Sequence, residues 1–135
     1  MNTQPDFSRL MQGVIPYIAV DRAEEAIAFY TRAFGAVQHG ELAKTPDGRV
    51  MNASLEINGG MLMLMDHFPE AQTEPVKGVT MQIVTREGDM WWDRAVKAGC
   101  EVTQPLKLEF WGDRYGRLRD PFGIDWAIDE PGAGK

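Results

Sequence analysis

The chain has 135 residues, 44% of them apolar and 25% charged, with 20 acidic side chains against 14 basic ones, a net charge of −6 and a pI near 4.9. That length suits one domain burying roughly 65 to 70% of its unfolded surface, and no apolar run approaches the ~18 residues that span a bilayer, so no membrane partner is expected. Acidity argues against nucleic acid, whose phosphates are met by Lys and Arg.

Residues 1–12, beginning MNTQPDFSRL, read as a polar lead-in without the basic and apolar regions of a signal peptide. With Cys100 the single cysteine, an intrachain disulfide and a cysteine-built zinc cluster are both excluded, and a cytoplasmic protein is expected. Gly13 to Val20 is a strand candidate that Pro16 places at an edge or interrupts. Asp21 is placed to cap a helix running to Phe34, with Glu24 in capping-box position and Ala23, Ala26, Ile27, Tyr30 and Phe34 on one face; Gly35 stops it. Strands follow over Val37 to Leu42, Val50 to Ile57 and Met61 to Met65, joined by the turns Thr45 to Gly48 and Asn58-Gly59-Gly60.

The stretch Asp66 to Lys77 carries two prolines and no apolar period, and reads as a connector. The order then restarts: a strand over Gly78 to Thr85, a helix over Asp89 to Ala98 ended by Gly99, a strand over Glu101 to Leu108, and a hairpin over Trp111 to Asp129. In that hairpin Asp120-Pro121-Phe122-Gly123 forms the turn, and Ile124, Trp126 and Ile128 alternate with Asp125, Ala127 and Asp129. Gly13-Val14 recurs as Gly78-Val79, Gly48-Arg49-Val50 as Gly116-Arg117-Leu118, and Gly60 as Gly123, which points to a duplicated unit. The units are residues 13–66 and 78–129, with a connector over 67–77 and a tail over 130–135.

This order, with IPYIAVDRAEEAIAFYTRAFGA at the start and DPFGIDWAI near the end, resembles the vicinal oxygen chelate superfamily of glyoxalases, bleomycin-binding proteins and dioxygenases. WGDRYGRLRDPFGIDWAI together with LMLMD is most similar to its PhnB-like branch. The resemblance implies an α+β fold of two βαβββ repeats, forming a curved, cup-shaped mixed sheet with helices on the convex face and a ligand in the cup, often between two subunits. If Ile18, Val20, Met81, Ile83, Trp126 and Ile128 lie under the helices, strand alternation turns Ile15, Tyr17, Leu62, Leu64, Thr80, Gln82, Asp125 and Ala127 toward the cup.

Metal-dependent relatives place four ligands on the first and last strands of each unit. Carried onto this chain, those positions are Ile15, Leu64, Thr80 and Ala127, which hold neither imidazole nor carboxylate. No metal ligand and no cofactor are therefore expected. Arg117 and Tyr115 are candidates to grip an anionic or carbonyl group, against the plainer reading in which Arg114, Arg117 and Arg119 pair with Asp113, Asp120 and Asp125. Trp111 is a candidate stacking wall, Trp126 and one of Trp91 and Trp92 are core, and Met61, Met63 and Met65 read as packing under a helix. His39 and His67 read as solvated surface residues, with His67 also considered at the rim of the cup.

A methyltransferase, as some PhnB-like proteins are labelled, is disfavoured: the glycine pairs lie in hairpins rather than in a strand-to-helix loop. No nucleophile with its base is visible. The expectation is a homodimeric, metal-free protein binding a small aromatic or amphipathic molecule. One alternative is a lyase, isomerase or dioxygenase of the same superfamily that uses Zn, Mn, Fe or Ni; another is a dimeric accessory protein without a ligand.

Overall fold

The computed structural model of the chain describes residues 9–71, 74 and 76–134. The order is β1 (Tyr17–Val20), α1 (Ala23–Phe34), β2 (Val37–Lys44), β3 (Val50–Ile57), β4 (Gly60–Asp66), β5 (Thr80–Val84), α2 (Gly88–Ala98), β6 (Glu101–Leu108), β7 (Arg114–Arg119) and β8 (Asp125–Glu130). Most of the predicted lead-in, part of the connector and the last residue lie outside the described residues; one 3-10 turn, Pro69–Ala71, falls within the connector.

The strands form two four-stranded mixed sheets of identical order, β1-β4-β3-β2 and β5-β8-β7-β6. In each, the first and last strands of the unit pair in parallel and the rest are antiparallel. The duplication and the α+β class are therefore as expected, while the curved sheet is divided in two. What joins the halves is the helical layer: α1 covers the first sheet, α2 the second, and the two helices pack on each other. One apolar core runs through both, from Leu55 and Leu64 through Tyr30 and Phe34 to Trp126 and Ile128. Trp126 stacks on Phe34 with centroids 4.2 Å apart. No helix among the described residues is long and apolar enough to cross a membrane.

Two carboxylates organise this frame. Asp120, 4% exposed, accepts from the backbone N–H of Phe122 (2.8 Å) and Ile124 (2.9 Å) through Oδ1. Its Oδ2 accepts from Tyr30 O–H (2.6 Å) and Trp126 Nε1 (2.9 Å), so the turn that sets the last hairpin also ties it to α1 of the other half. Burial and the neighbouring Asp120 push the Tyr30 hydroxyl far above its ordinary range. Asp66 does the corresponding work in the first half, accepting from Ala23 N–H (2.7 Å) and Val50 N–H (2.6 Å).

That bond corrects the expected cap. Asp21 does not cap α1; Arg22 precedes the helix in the left-handed region at φ 62, and the orphan N–H of Ala23 is met by Asp66 from β4. The first strand is also shorter than predicted, because Pro16 has no N–H to give and only its carbonyl joins the ladder, accepting from Met63 N–H.

Candidate functional site

The face of the second sheet turned away from the helices follows directly from its register. β8 lies between β5 and β7, with Thr80, Gln82 and Val84 beside Asp125, Ala127 and Asp129, and these opposite Arg119, Arg117 and Tyr115. Partnered residues share a face, so all nine side chains turn away from Ile83, Leu118, Trp126 and Ile128, which are buried beneath the helices. Gln82, Gln104, Trp111, Asp113, Tyr115, Arg117 and Asp129 line an open hollow of about 570 Å³.

Arg117 crosses this face. Its guanidinium donates to Tyr115 Oη (2.9 Å) and, over the intervening strand, to Thr80 Oγ1 on β5 (2.7 Å). Ala127 is the residue of β8 beneath that span, and its side chain is fully buried. A small side chain at 127 is what lets the guanidinium lie across the sheet. The plainer reading of the arginines holds for Arg119, which pairs with Asp125 (3.0 Å); Arg114 pairs instead with Asp89 (2.7 Å), holding that carboxyl below its usual range. Among the described residues Arg117 has no carboxylate partner; its bonds are to hydroxyls.

Trp111 is 45% exposed and meets Tyr115 edge to face at 5.8 Å, forming an aromatic wall at the mouth of the hollow. The floor is acidic. Asp129 is 8% exposed, and burial together with Asp113 beside it pushes its carboxyl above the ordinary range. Asp113 is itself fixed through Oδ1, which accepts from Gly132 N–H (2.9 Å). Asp113, Asp129 and Gln104 were not among the residues expected from sequence to line the site. The parity of Asp129 with Ala127 was legible, whereas Asp113 sits in a loop whose path no periodicity reports.

In the first sheet the expected parity fails on one strand. Tyr17 faces outward as predicted, 47% exposed, with its hydroxyl donating to the Met51 carbonyl (2.5 Å). Ile15 is half-buried and precedes β1. Leu62 and Leu64, however, are buried in the core, and Leu62 only borders a cleft of about 310 Å³ between the β3–β4 hairpin and β5. The outward face of β4 carries Met61, Met63 and Met65, since Tyr17 pairs with Met63 and Ile18 with Leu64.

The cause is turn length. Asn58 and Gly59, both at positive φ, make a two-residue hairpin with Gly60 already paired to Ile57, whereas Gly123 lies inside a five-residue loop between Arg119 and Asp125. Matching Gly60 to Gly123 shifts β4 by one residue, and one residue reverses every side chain. The positions equivalent to Gln82 and Ala127 are thus Tyr17 and Met63.

Neither donor set suits a divalent ion. Leu64 and Ala127 offer hydrocarbon, Met63 a soft thioether, Tyr17 a phenol already donating to a carbonyl, and Thr80 a hydroxyl held by a guanidinium. Among the described residues no three His, Cys, Asp or Glu side chains converge.

The histidines also differ from expectation. His39 is 7% exposed rather than solvated, with Nε2 2.9 Å from Glu56 Oε1 on the outward face of the first sheet. His67 donates its backbone N–H to Val20 and lines a separate pocket of about 70 Å³, away from both faces. Cys100 is buried, and burial, with Asp120 nearby, pushes its thiol up to about 12, which leaves it a poor nucleophile.

A family model, the Glyoxalase/Bleomycin resistance protein/Dioxygenase superfamily, matches residues 10–128. An uncharacterised protein of Mycobacterium bovis is 39% identical over 124 residues, covering 86% of this chain and 81% of that one. Among solved structures, TnmS3, an antibiotic binding protein from Streptomyces sp. CB03234, superposes with a TM-score of 0.67 at 22% identity, over 90% of this chain and 97% of that one. A PhnB protein from Bacillus cereus that carries a 3-demethylubiquinone-9 3-methyltransferase label superposes with a TM-score of 0.64 at 22% identity, over 88% and 99%.

Proposed function

Because the chain belongs to the Glyoxalase/Bleomycin resistance protein/Dioxygenase superfamily, we propose that it works on this fold as a metal-free binding protein for a small aromatic or amphipathic molecule. The observation that carries the reading is Arg117 lying over Ala127. A guanidinium lies over the strand position where metal-dependent relatives present their last carboxylate, and its charge repels a metal ion there. Beside it the Trp111–Tyr115 pair offers apolar ring surface, and Arg117 and Gln82 offer donors, the mix of apolar area and few polar groups that small-molecule sites use. The likeness to an antibiotic binding protein supports the same class of ligand.

The protein acts as a homodimer in this reading. Strands β1 and β5 are sheet edges, and the hollow of the second sheet is lined by residues of the second half alone, leaving room for a second copy to close it. Light scattering is expected to give a dimer mass, and a monomer at working concentration overturns this part.

The binding reading is tested by thermal-shift screening with aromatic compounds and divalent metals, and by elemental analysis after dialysis. Aromatic compounds are expected to raise the melting temperature, with no ion retained in stoichiometric amount. A stoichiometric ion surviving dialysis sinks the reading in favour of a metal-dependent lyase, isomerase or dioxygenase. A screen in which nothing moves sinks it in favour of an accessory protein without a ligand.

A further inference from the structure

Asp129 is costly where it stands. Asp129 is 8% exposed, its Oδ1 is buried with no hydrogen-bond donor among the described residues, and its carboxyl lies within hydrogen-bonding reach of another acid, Asp113. Asp113 is in turn pinned by the Gly132 N–H, so the pair cannot relax simply by the loop swinging out. Two like charges held together at the wall of a hollow oppose folding, and an amide at either position would relieve the repulsion while filling nearly the same space. A buried carboxylate oxygen still lacking a donor is what an incoming N–H would satisfy.

From this geometry we infer that the hollow takes a ligand bearing a primary or secondary ammonium group, seated on Asp113 and Asp129, with its aromatic ring against Trp111 and Tyr115. The inference rests on the binding reading above and names the chemistry of the molecule bound. The ammonium supplies the missing donor to Asp129 Oδ1 and one positive charge between two acids. The adjoining ring faces give it a second attraction.

The donors on this face do not suit a bare metal ion. Arg117 lies two residue pairs along from Asp129 on the same sheet, Lys107 is opposite Tyr115 on β6, and Arg119 with Asp125 closes the far end. A divalent ion at the acid pair would find two carboxylates and, among the described residues, no third acidic or imidazole ligand. An amine on a flexible arm places one charge on the acids and can turn an acceptor toward Arg117.

The experiment is calorimetric titration of the full chain with naphthylmethylamine, with its uncharged counterpart naphthylmethanol, and with manganese chloride, repeated on Asp129→Asn and Asp113→Asn. Near-ultraviolet circular dichroism checks that both variants remain folded. The wild type is expected to bind the amine roughly tenfold or more tightly than the alcohol, as a hydrogen-bonded charge pair implies. That preference is expected to shrink to about twofold or less in Asp129→Asn, while alcohol binding stays the same. Equal binding of amine and alcohol to the wild type, or a preference that survives both variants, overturns the ammonium subsite but leaves the aromatic hollow standing. Stoichiometric manganese binding that Asp129→Asn abolishes, without amine preference, overturns it in favour of a metal site. Absence of heat with both naphthyl compounds overturns the subsite and the binding reading together.

Discussion

The two halves share one plan and differ in the face they turn outward. In each sheet a side chain from a neighbouring strand lies across the central one. Tyr17 reaches over β4 to the Met51 carbonyl, and Arg117 reaches over β8 to Thr80. Beneath Tyr17 the central strand carries methionines, and beside it His39 meets Glu56; beneath Arg117 it carries Ala127, flanked by Asp125 and Asp129. The helix-facing sides must fit a common core and are therefore tightly constrained. The faces turned away from that core need satisfy only solvent or a ligand, so duplication leaves them free to diverge, and the second carries more charges of both signs.

The largest effects come from the constrained side. Asp120→Ala is expected to cost roughly 3 to 5 kcal/mol, because it leaves Tyr30 O–H, Trp126 Nε1 and two backbone N–H groups buried without an acceptor. Asp66→Ala, which strands two backbone N–H groups at a half-buried site that water can reach, is expected to cost roughly 1 to 3 kcal/mol. Urea unfolding of the two variants measures the difference, and equal losses would mean that Asp120 does not tie the halves together.

A smaller contrast lies one layer below the hollows. Ala53 and Gly116 hold equivalent places, paired with Leu64 and Ile128. Yet a Cβ added at Gly116 would come within 2.5 Å of Trp92 Cζ3 and 2.8 Å of Leu106 Cα, so α2 sits on its sheet more closely than a methyl group allows. Gly116→Ala is expected to cost roughly 1 to 3 kcal/mol by overpacking. Its mirror, Ala53→Gly, is expected to cost about 1 kcal/mol through lost burial and added chain entropy. Paired denaturation curves test the ranking.

How much of this was legible follows from which signals are local. The DPFG turn and the alternation after it placed every outward residue of β8 correctly, because a turn within the strand's own hairpin sets its register. β4 was misphased because its position was carried from one hairpin to another of different loop length, and period-2 alternation has no tolerance for a single slip. MLMLM is apolar on both faces, so nothing within the strand could reveal the error. The cap of α1 and the burial of His39 were missed for a different reason: each depends on a partner more than ten residues away in sequence, Asp66 for Ala23 and Glu56 for His39.

On the outward faces the expected changes fall on binding rather than stability. Arg117→Gln is expected to weaken an aromatic ligand with an acceptor group about tenfold by removing a charged donor. His67→Ala, in its separate pocket, is expected to leave affinity within about twofold. Calorimetry on both variants separates the hollow from the rest of the surface, and a larger loss with His67→Ala would move the site.

The finest test of the second face is the pH dependence of its acid pair. Burial, then Asp113, raises the Asp129 carboxyl above its ordinary value of 3.8, so the folded chain binds that proton more tightly than the unfolded chain does. Where the folded state holds more protons, stability falls as pH rises. The pair therefore costs nothing below the ordinary value, weakens the fold progressively between that value and the raised one, and exacts a constant penalty above it. Asp129→Asn removes the charged form. Its melting temperature is expected to exceed that of the wild type at neutral pH by a few degrees, roughly the effect of 1 kcal/mol in a domain of this size. That gap should close on acidification toward about pH 4. Taking the difference between the two proteins cancels the carboxylates with the opposite sign, such as Asp89, which Arg114 holds below its usual range. A gap that stays constant across the titration would mean that Asp113 and Asp129 do not interact, and with it the second hollow would lose the feature that most distinguishes it from the first.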